Sequence, residues 1–279
     1  MIDIRPFTLT EKELGEVAEL LTSVFPKAGF SVEYLRWQYC ENPDGLAVGF
    51  NAFEGDVIVA HYAAIPLTAT VFGVVESGLL SLNTATRDTH SGKGLFTKLA
   101  QATYTYAREK GFSFVIGVAN AASTFGFVNK LGFQLVGPLQ SMVGWGKVNT
   151  KDNALCDFEC NRSEAKIDWR LANPSRRYRL ESNGSQMDVV ASTDFSLVDA
   201  VLASFDTSSL TEKGEKLSRH FRLHLGFDPS KDWKNSRYYN VPIRFRPSPL
   251  NLIFLDLTEQ KRKLNASTIR FGALDFDAY

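Results

Sequence analysis

The sequence predicts an α/β protein: a mixed, twisted sheet flanked by helices in the first half, with a second, α+β unit behind it. Three observations carry that prediction. Up to about residue 148, strand-like apolar runs are interleaved with stretches of helical spacing. The strands come first as a meander and then pass through helices. Finally, Ile167-Asp168-Trp169-Arg170-Leu171-Ala172-Asn173-Pro174 echoes Leu35-Arg36-Trp37-Gln38-Tyr39-Cys40-Glu41-Asn42-Pro43, as a repeated unit would.

Taken in order, Ile2 and Ile4 alternate with polar residues as a strand does. Thr10 precedes Glu13 by three, a capping-box pattern, and Leu14, Val17, Ala18, Leu21 and Phe25 follow at helical spacing until Pro26. A short helix from Val32 to about Tyr39 ends before the turn cluster Asn42-Pro43-Asp44-Gly45. Leu46–Phe53 and Val57–Leu67 read as two strands joined by the hairpin Glu54-Gly55-Asp56, and Leu79–Thr86 as a further strand. A helix follows with Leu95, Leu99, Ala102 and Tyr106 on one face, closed by Gly111. Phe114–Val118 is a short apolar strand, and Asn120 opens a helix that stops at Gly132-Phe133. Strands near 134–136 and 141–147 complete the unit at residues 1–149, and the polar stretch 150–163 reads as a connector. In 164–279, Met187–Ala191 is expected as strand, Leu197–Phe205 as helix, and Tyr238–Phe245, Leu250–Leu257 and Thr268–Phe276 as strands. That order leaves two readings open: a degenerate copy of the first unit, or an unrelated α+β fold.

Bulk properties narrow the function. Hydrophobic residues at 44% and charged residues at 22% fit a soluble globular protein. Lys plus Arg and Asp plus Glu number 31 each, so nothing global argues for nucleic acid or a membrane surface as partner. No basic segment leads into an apolar stretch at the N-terminus, and the run Val57–Leu67 holds His61 and Pro66 and is too short to span a bilayer. Cys40, Cys156 and Cys160 suit a reduced compartment, and no His or second Cys pair completes a zinc site around the latter two. A cytoplasmic protein without a metal is expected.

The most informative stretch is Arg87-Asp88-Thr89-His90-Ser91-Gly92-Lys93-Gly94-Leu95-Phe96, between a strand and a helix. Free backbone N–H groups and the positive end of the helix can hold a diphosphate there without a dedicated cationic side chain. A tight turn with no ligand would show the same two glycines. The spacing fits neither a Walker A loop nor the dinucleotide fingerprint. About thirty positions on come Asn120 and then Phe127-Val128-Asn129-Lys130-Leu131-Gly132-Phe133. Together the two elements resemble the GNAT acyltransferase family, over roughly residues 1 to 148.

The resemblance implies an N-acyltransferase moving an acetyl group from acetyl-CoA to a primary amine, with an amino sugar or nucleotide-linked amino sugar as leading acceptor. It implies backbone contacts to pantetheine from Thr84, Ala85 and Thr86, and diphosphate binding by Ser91, Gly92, Lys93, Gly94 and Leu95. Asn120 and Phe127 would border the pantetheine and thiol. The chain departs from the family at Ser91, where Arg or Gln is usual, at Phe96, where Gly or Ala is usual, and at Val128. Many members have there the Tyr that protonates the leaving thiolate, and valine cannot donate a proton. Candidate proton-handling residues are His61, Tyr62, Glu76 and Ser123; His61, Glu76 and Ser123 also have quieter readings as core histidine, turn carboxylate and cap. His90 is expected to face solvent or phosphate, Arg176, Arg177 and Arg179 to form a solvated basic face, and Lys261-Arg262-Lys263 to form a hairpin tip. Two other functions stay in view: a non-catalytic acyl-CoA-binding or interaction module, and an aminoacyl-transfer enzyme. The balanced charge weighs against the latter, because charged tRNA would be its partner.

Overall fold

The computed structural model describes residues 1–151, 153–183, 186–206, 215–216, 221–246 and 248–278. The first part runs β1 (Ile2–Pro6), α1 (Glu11–Val24), α2 (Val32–Cys40), β2 (Val48–Glu54), β3 (Val57–Val71), β4 (Val74–Thr86), α3 (Leu95–Glu109) and β5 (Phe114–Ala119). Next come α4 (Ala121–Phe125), which continues as a π-helical turn over Gly126–Lys130, then β6 (Gln134–Pro138) and β7 (Gln140–Gly144). Beyond them lie β8 (Phe158–Cys160), α5 (Glu164–Leu171), β9 (Tyr178–Asn183), β10 (Gln186–Ser192), β11 (Val198–Asp206), β12 (Glu215–Lys216), β13 (Phe221–Phe227), β14 (Tyr238–Asn240), β15 (Asn251–Asp256) and β16 (Ile269–Gly272).

Side-chain caps start three of the helices. Thr10 Oγ1 accepts from Glu13 N, Ser31 Oγ from Tyr34 N, and Ser163 Oγ from Lys166 N, each satisfying an orphan donor of the first turn. Helix α1 buries Leu14, Val17, Ala18, Leu20 and Leu21, and α3 buries Leu95, Leu99, Ala100, Thr103, Tyr104 and Ala107 on the other side of the sheet.

The strands follow two matching paths. One orders β2–β3–β4–β5–β15–β6, and the other β9–β10–β11–β13–β7–β14. In each, three antiparallel strands meet a parallel neighbour: β4 beside β5 over Leu79–Ser81 and Val115–Gly117, and β11 beside β13 over Val198–Val201 and Phe221–His224. The halves also trade strands. β15, from the far end of the chain, lies between β5 and β6, whereas β7, which follows β6 in sequence, lies between β13 and β14. The echoed tryptophans meet at this junction. Trp37 Nε1 donates to Trp169 O at 2.7 Å, Trp169 Nε1 donates to Trp37 O at 3.0 Å, and the rings stack at 4.8 Å. A single cluster of buried side chains accordingly runs from Leu14 in α1 to Leu274 near the C-terminal end.

Several expectations for the second half need correction. Leu197–Phe205 is not a helix: Val198–Asp206 is strand β11. Asp199 through Ala203 are all buried, so the segment carries apolar residues on both faces, and such a run satisfies either period. Of Tyr238–Phe245 only Tyr238–Asn240 is strand, because Pro242 cannot donate to a ladder. The connector holds β8, which joins β3 to β16. Arg262 is no hairpin tip either. Its guanidinium donates to Glu76 Oε1 at 2.7 Å and to Asp256 Oδ1 at 2.9 Å, and the ion pairs are mostly shielded from solvent.

Candidate active site

Parallel pairing of β4 with β5 stops after Ser81 opposite Gly117. Beyond that point β4 bulges: Asn83 takes φ of 46°, and its register against β3 shifts between His61 and Ala63. The two strands then diverge around a cavity of about 690 Å³. Its walls are Ser81–Thr86 from β4, Gly117 and Val118 from β5, Phe96 from α3, and Asn120, Ala122, Ser123, Gly126 and Phe127 from the α4 segment. Phe25, Ala28 and Phe30, from the turn between α1 and α2, close one side. Leu250 and Ile253, on and beside the exchanged strand β15, close another.

Helix α3 begins at this cavity, with Phe96 of its first turn in the wall. No side chain caps it; Gly94 is its N-cap, and Lys98 N is the first amide to reach an α-helical acceptor, Gly94 O at 3.1 Å. The amides of Leu95, Phe96 and Thr97 are therefore the orphan donors of this end. Gly92 and Gly94 have φ of 76° and 71°, the left-handed region that glycine adopts at no steric cost, and no atom lies within 4 Å of a Cβ built on either. Backbone direction, not crowding, is what requires glycine here. Ser91 and Lys93 are exposed, whereas the Leu95 side chain is core and offers only its amide. Uncapped donors, the helix dipole and an open loop together fit a diphosphate.

Of the residues the sequence singles out, Thr84, Ala85, Thr86, Asn120, Ser123 and Phe127 line the cavity. Ala85 is buried, so its backbone is what it can present. Asn120 has a structural task as well: its Oδ1 accepts from Ser123 N at 2.9 Å and from Ser123 Oγ at 3.1 Å, capping α4. Phe96 meets Phe127 edge-on at 5.0 Å and lies so close to Gly126 that a Cβ there would come within 2.8 Å of its ring. Val128 is not in the cavity wall.

Glu76 and His61 are placed elsewhere. Glu76 sits at the opposite end of β4, held by Arg262. His61 is 0% exposed, with Nδ1 2.6 Å from Asn51 Oδ1 and Nε2 2.9 Å from Tyr39 Oη. Asn51 Nδ2 donates to Glu13 Oε1, so Asn51 Oδ1 must accept and His61 Nδ1 carries the proton. Burial pulls the His61 pKa down to about 3, which keeps the ring neutral. His90, expected near solvent or phosphate, is buried with Nε2 3.2 Å from Glu54.

The His61 shift has a consequence for stability. Between its unfolded pKa of about 6.5 and about 3, the unfolded chain holds a proton that the native ring refuses, so stability falls as pH falls through that window. His224, also pulled down to about 3 by burial, adds a second such proton. Urea unfolding between pH 4.5 and 6 is expected to show a slope shallower by about 1.4 kcal/mol per pH unit in His61→Gln than in the parent. Identical slopes would mean that the ring is protonated in the fold.

Sequence reasoning missed two polar residues of the wall. Ser81 Oγ lies 2.7 Å from Tyr62 Oη, itself 2.6 Å from Tyr104 Oη, so a chain of hydroxyls ends where the strands part. Burial drives both tyrosines up, Tyr62 to about 12, which keeps them neutral. Asn83 is the other. An asparagine inside a strand run, a residue that tolerates positive φ, is the signal that could have marked the bulge.

Among the described residues no group of His, Cys, Asp and Glu could hold a metal ion, and no helix is long and apolar enough to cross a membrane. Comparison with known proteins agrees with the geometry. The acetyltransferase (GNAT) domain family matches residues 4–136. A search of curated protein sequences finds no match. Among solved structures, the chain is similar to a conserved protein of unknown function from Enterococcus faecalis V583, described as a probable N-acyltransferase. The TM-score is 0.64 at 8% identity, over 92% of this chain and 73% of that one. It is also similar to Eis1 from Mycobacterium abscessus, with a TM-score of 0.52 at 12% identity over 74% of this chain. The match covers 59% of Eis1, so this chain spans less than two thirds of that protein. At these identities the likeness is one of fold, and it extends across most of the chain. Residues 4–136 of this chain are a GNAT acetyltransferase domain, and the donor of that family is an acyl-CoA.

Proposed function

We propose that the protein is an N-acyltransferase that moves an acetyl group from acetyl-CoA to a primary amine. The observation that carries this reading is the wedge between β4 and β5, with the uncapped N-terminus of α3 opening at its wall. Diphosphate would sit on the amides following Gly94, with Ser91–Leu95 as the loop around it. Pantetheine would lie along Thr84–Thr86, bordered by Asn120 and Phe127. The description of the Enterococcus faecalis protein as a probable N-acyltransferase points the same way.

The chemistry asks for placement more than for strong acids or bases. A neutral amine attacks the thioester carbonyl, and the thiolate, a far weaker base than an alkoxide, leaves. Of the hydroxyls in the wall, which Thr84 and Thr86 share, those of Ser123 and Ser81 would return a proton to sulfur in place of the family tyrosine that Val128 replaces. His61 does not reach the cavity; it accepts from Tyr39 and so orients that phenol. Glu76 is left a structural part by its pairing with Arg262. An amino sugar gains little support, since the wall between Phe25, Phe30 and Leu250 is apolar. We also read 164–279 as a degenerate copy of the first unit; the matching strand order and the paired tryptophans support that reading.

A second reading, an acyl-CoA-binding module without turnover, is favoured by Val128 alone. Calorimetric titration with acetyl-CoA and thiol release over a panel of amines separate the two. Micromolar binding with release on at least one amine is expected. Binding with no release on any amine would favour the module, and no binding would remove both.

A further inference from the structure

From the hydrogen-bond polarity around Asn83 and the lining of the cavity, we infer that the acceptor is a weakly basic primary amine on an apolar body, an arylamine in chemical class. Asn83 Oδ1 receives its N–H. This rests on the N-acyltransferase reading above and specifies its substrate.

Two hydrogen-bonded chains fix how Asn83 is turned. In the first, Asn83 Nδ2 donates to Gln38 Oε1 at 2.6 Å, Gln38 Nε2 donates to Tyr34 Oη at 2.9 Å, and Tyr34 donates to Asp277 Oδ2 at 2.9 Å. In the second, Asn83 Nδ2 meets Tyr39 Oη at 2.9 Å, Tyr39 meets His61 Nε2, His61 Nδ1 meets Asn51 Oδ1, and Asn51 donates to Glu13 Oε1 at 2.7 Å. Each chain ends on a carboxylate, which has only acceptors to offer. Donor direction is therefore set all the way back: every proton points toward Asp277 or Glu13, and both amide protons of Asn83 are spent. Among the described residues its Oδ1 has no partner, and Asn83 lines the cavity at the bulge where the strands separate. The wall thus holds a fixed, neutral acceptor beside the place where a thioester in the wedge would be attacked.

The lining says which amine can use it. Among the described residues of the wall there is no Asp, Glu, His, Lys or Arg, and Phe25, Phe30, Leu82 and Leu250 make up its apolar side. An ammonium entering there loses its water and finds no counter-charge. At pH 7 an alkylamine of pKa about 10.4 is neutral in only about one molecule in a few thousand, whereas an arylamine, its lone pair shared with the ring, is neutral throughout. The proton balance agrees. Nitrogen's lone pair forms the new C–N bond, the C–S bond breaks with its electron pair on sulfur, and one amine proton passes to that sulfur. A neutral amine and acetyl-CoA give amide and free thiol with nothing left over. An ammonium would have one proton more to lose, and no carboxylate, imidazole or amine among the described residues of the wall can take it.

The test uses the full chain, acetyl-CoA, and three amines: 4-methylaniline, benzylamine and glucosamine. At pH 7, kcat/KM for 4-methylaniline is expected to exceed that for benzylamine by about 100-fold or more, and to exceed that for glucosamine, whose hydroxyls meet the apolar side of the wall. Its profile should stay flat from pH 6.5 to 8.5, while that of benzylamine rises about tenfold per unit. Asn83→Gly, which keeps the positive φ and removes the amide, should lower kcat/KM for 4-methylaniline about 10- to 100-fold with acetyl-CoA affinity unchanged. Faster turnover of benzylamine or glucosamine at pH 7 would overturn the inference and leave the N-acyltransferase reading standing. So would an Asn83→Gly variant that weakens acetyl-CoA binding yet acetylates 4-methylaniline as the parent does once saturated. Absence of acetyl-CoA binding in the parent would instead remove both.

Discussion

Replacing Gly94 by valine is expected to weaken acetyl-CoA binding by about 100-fold or more while leaving the fold intact. The backbone at this position has φ of 71°, in the left-handed region, where a β-branched residue is strained by about 1–2 kcal/mol. Nothing lies within 4 Å of the added Cβ, so the strain is not reinforced by a clash and can be relieved by a shift of the exposed loop alone. That shift is what damages binding. The amides of Leu95, Phe96 and Thr97 converge only while Gly94 caps α3 in its present conformation. Hydrogen bonds to a charged acceptor are worth about 1.5–3 kcal/mol each, so misdirecting two of them costs about 100-fold or more in affinity. Calorimetric titration and a thermal melt read the two halves of the expectation. An affinity within threefold of the parent's would mean that diphosphate binds elsewhere, and with it the assignment of the wedge would fall.

How far the sequence could lead depended on how local each feature is. The Ser91–Leu95 loop was legible because glycines at 92 and 94 ahead of an apolar helical stripe describe one short segment. The caps at Thr10, Ser31 and Asn120 are equally local. Reading failed where distant parts of the chain decide. His61 lies on an apolar strand, yet only Tyr39 and Asn51, brought in from α2 and β2, show it to be a neutral acceptor rather than a base. Glu76 reads as a turn carboxylate because Arg262, which holds it, lies 186 positions away. Strand β11 carries no strand period in sequence because burial on both faces erases the alternation that distinguishes strand from helix. The Trp37–Trp169 echo was visible as a pattern, but its reciprocal hydrogen bonds belong to the packing of two helices that sequence alone does not bring together.

The exchange of β7 and β15 leads to the second large expected effect: residues 1–149 made alone will not form the wedge. The first unit ends in sequence before its sheet is complete. β15 is hydrogen-bonded to β5 from Asn251 opposite Ala119 to Asp256 opposite Phe114, and on its other edge to β6. Leu252, Ile253 and Phe254 from that strand are at most 1% exposed. Full burial of each contributes about 1.5–3 kcal/mol, so their loss alone approaches the whole stability of an ordinary domain, about 5–15 kcal/mol. Strand β7 cannot readily take the place. Only Leu139 separates it from β6, too short a link for a hairpin, and Ser141, Met142 and Val143 would fill the slot poorly. The open edges of β5 and β6 would then invite pairing between chains. Residues 1–149 are expected to be insoluble or to lack a cooperative melt, and co-expression with 150–279 to restore both solubility and acetyl-CoA binding. A soluble 1–149 fragment that melts cooperatively and binds acetyl-CoA as the full chain does would show that the exchanged strand is dispensable. The wall formed by Leu250 and Ile253 would then be dispensable to donor binding too, and the two halves would have to be treated as separable domains.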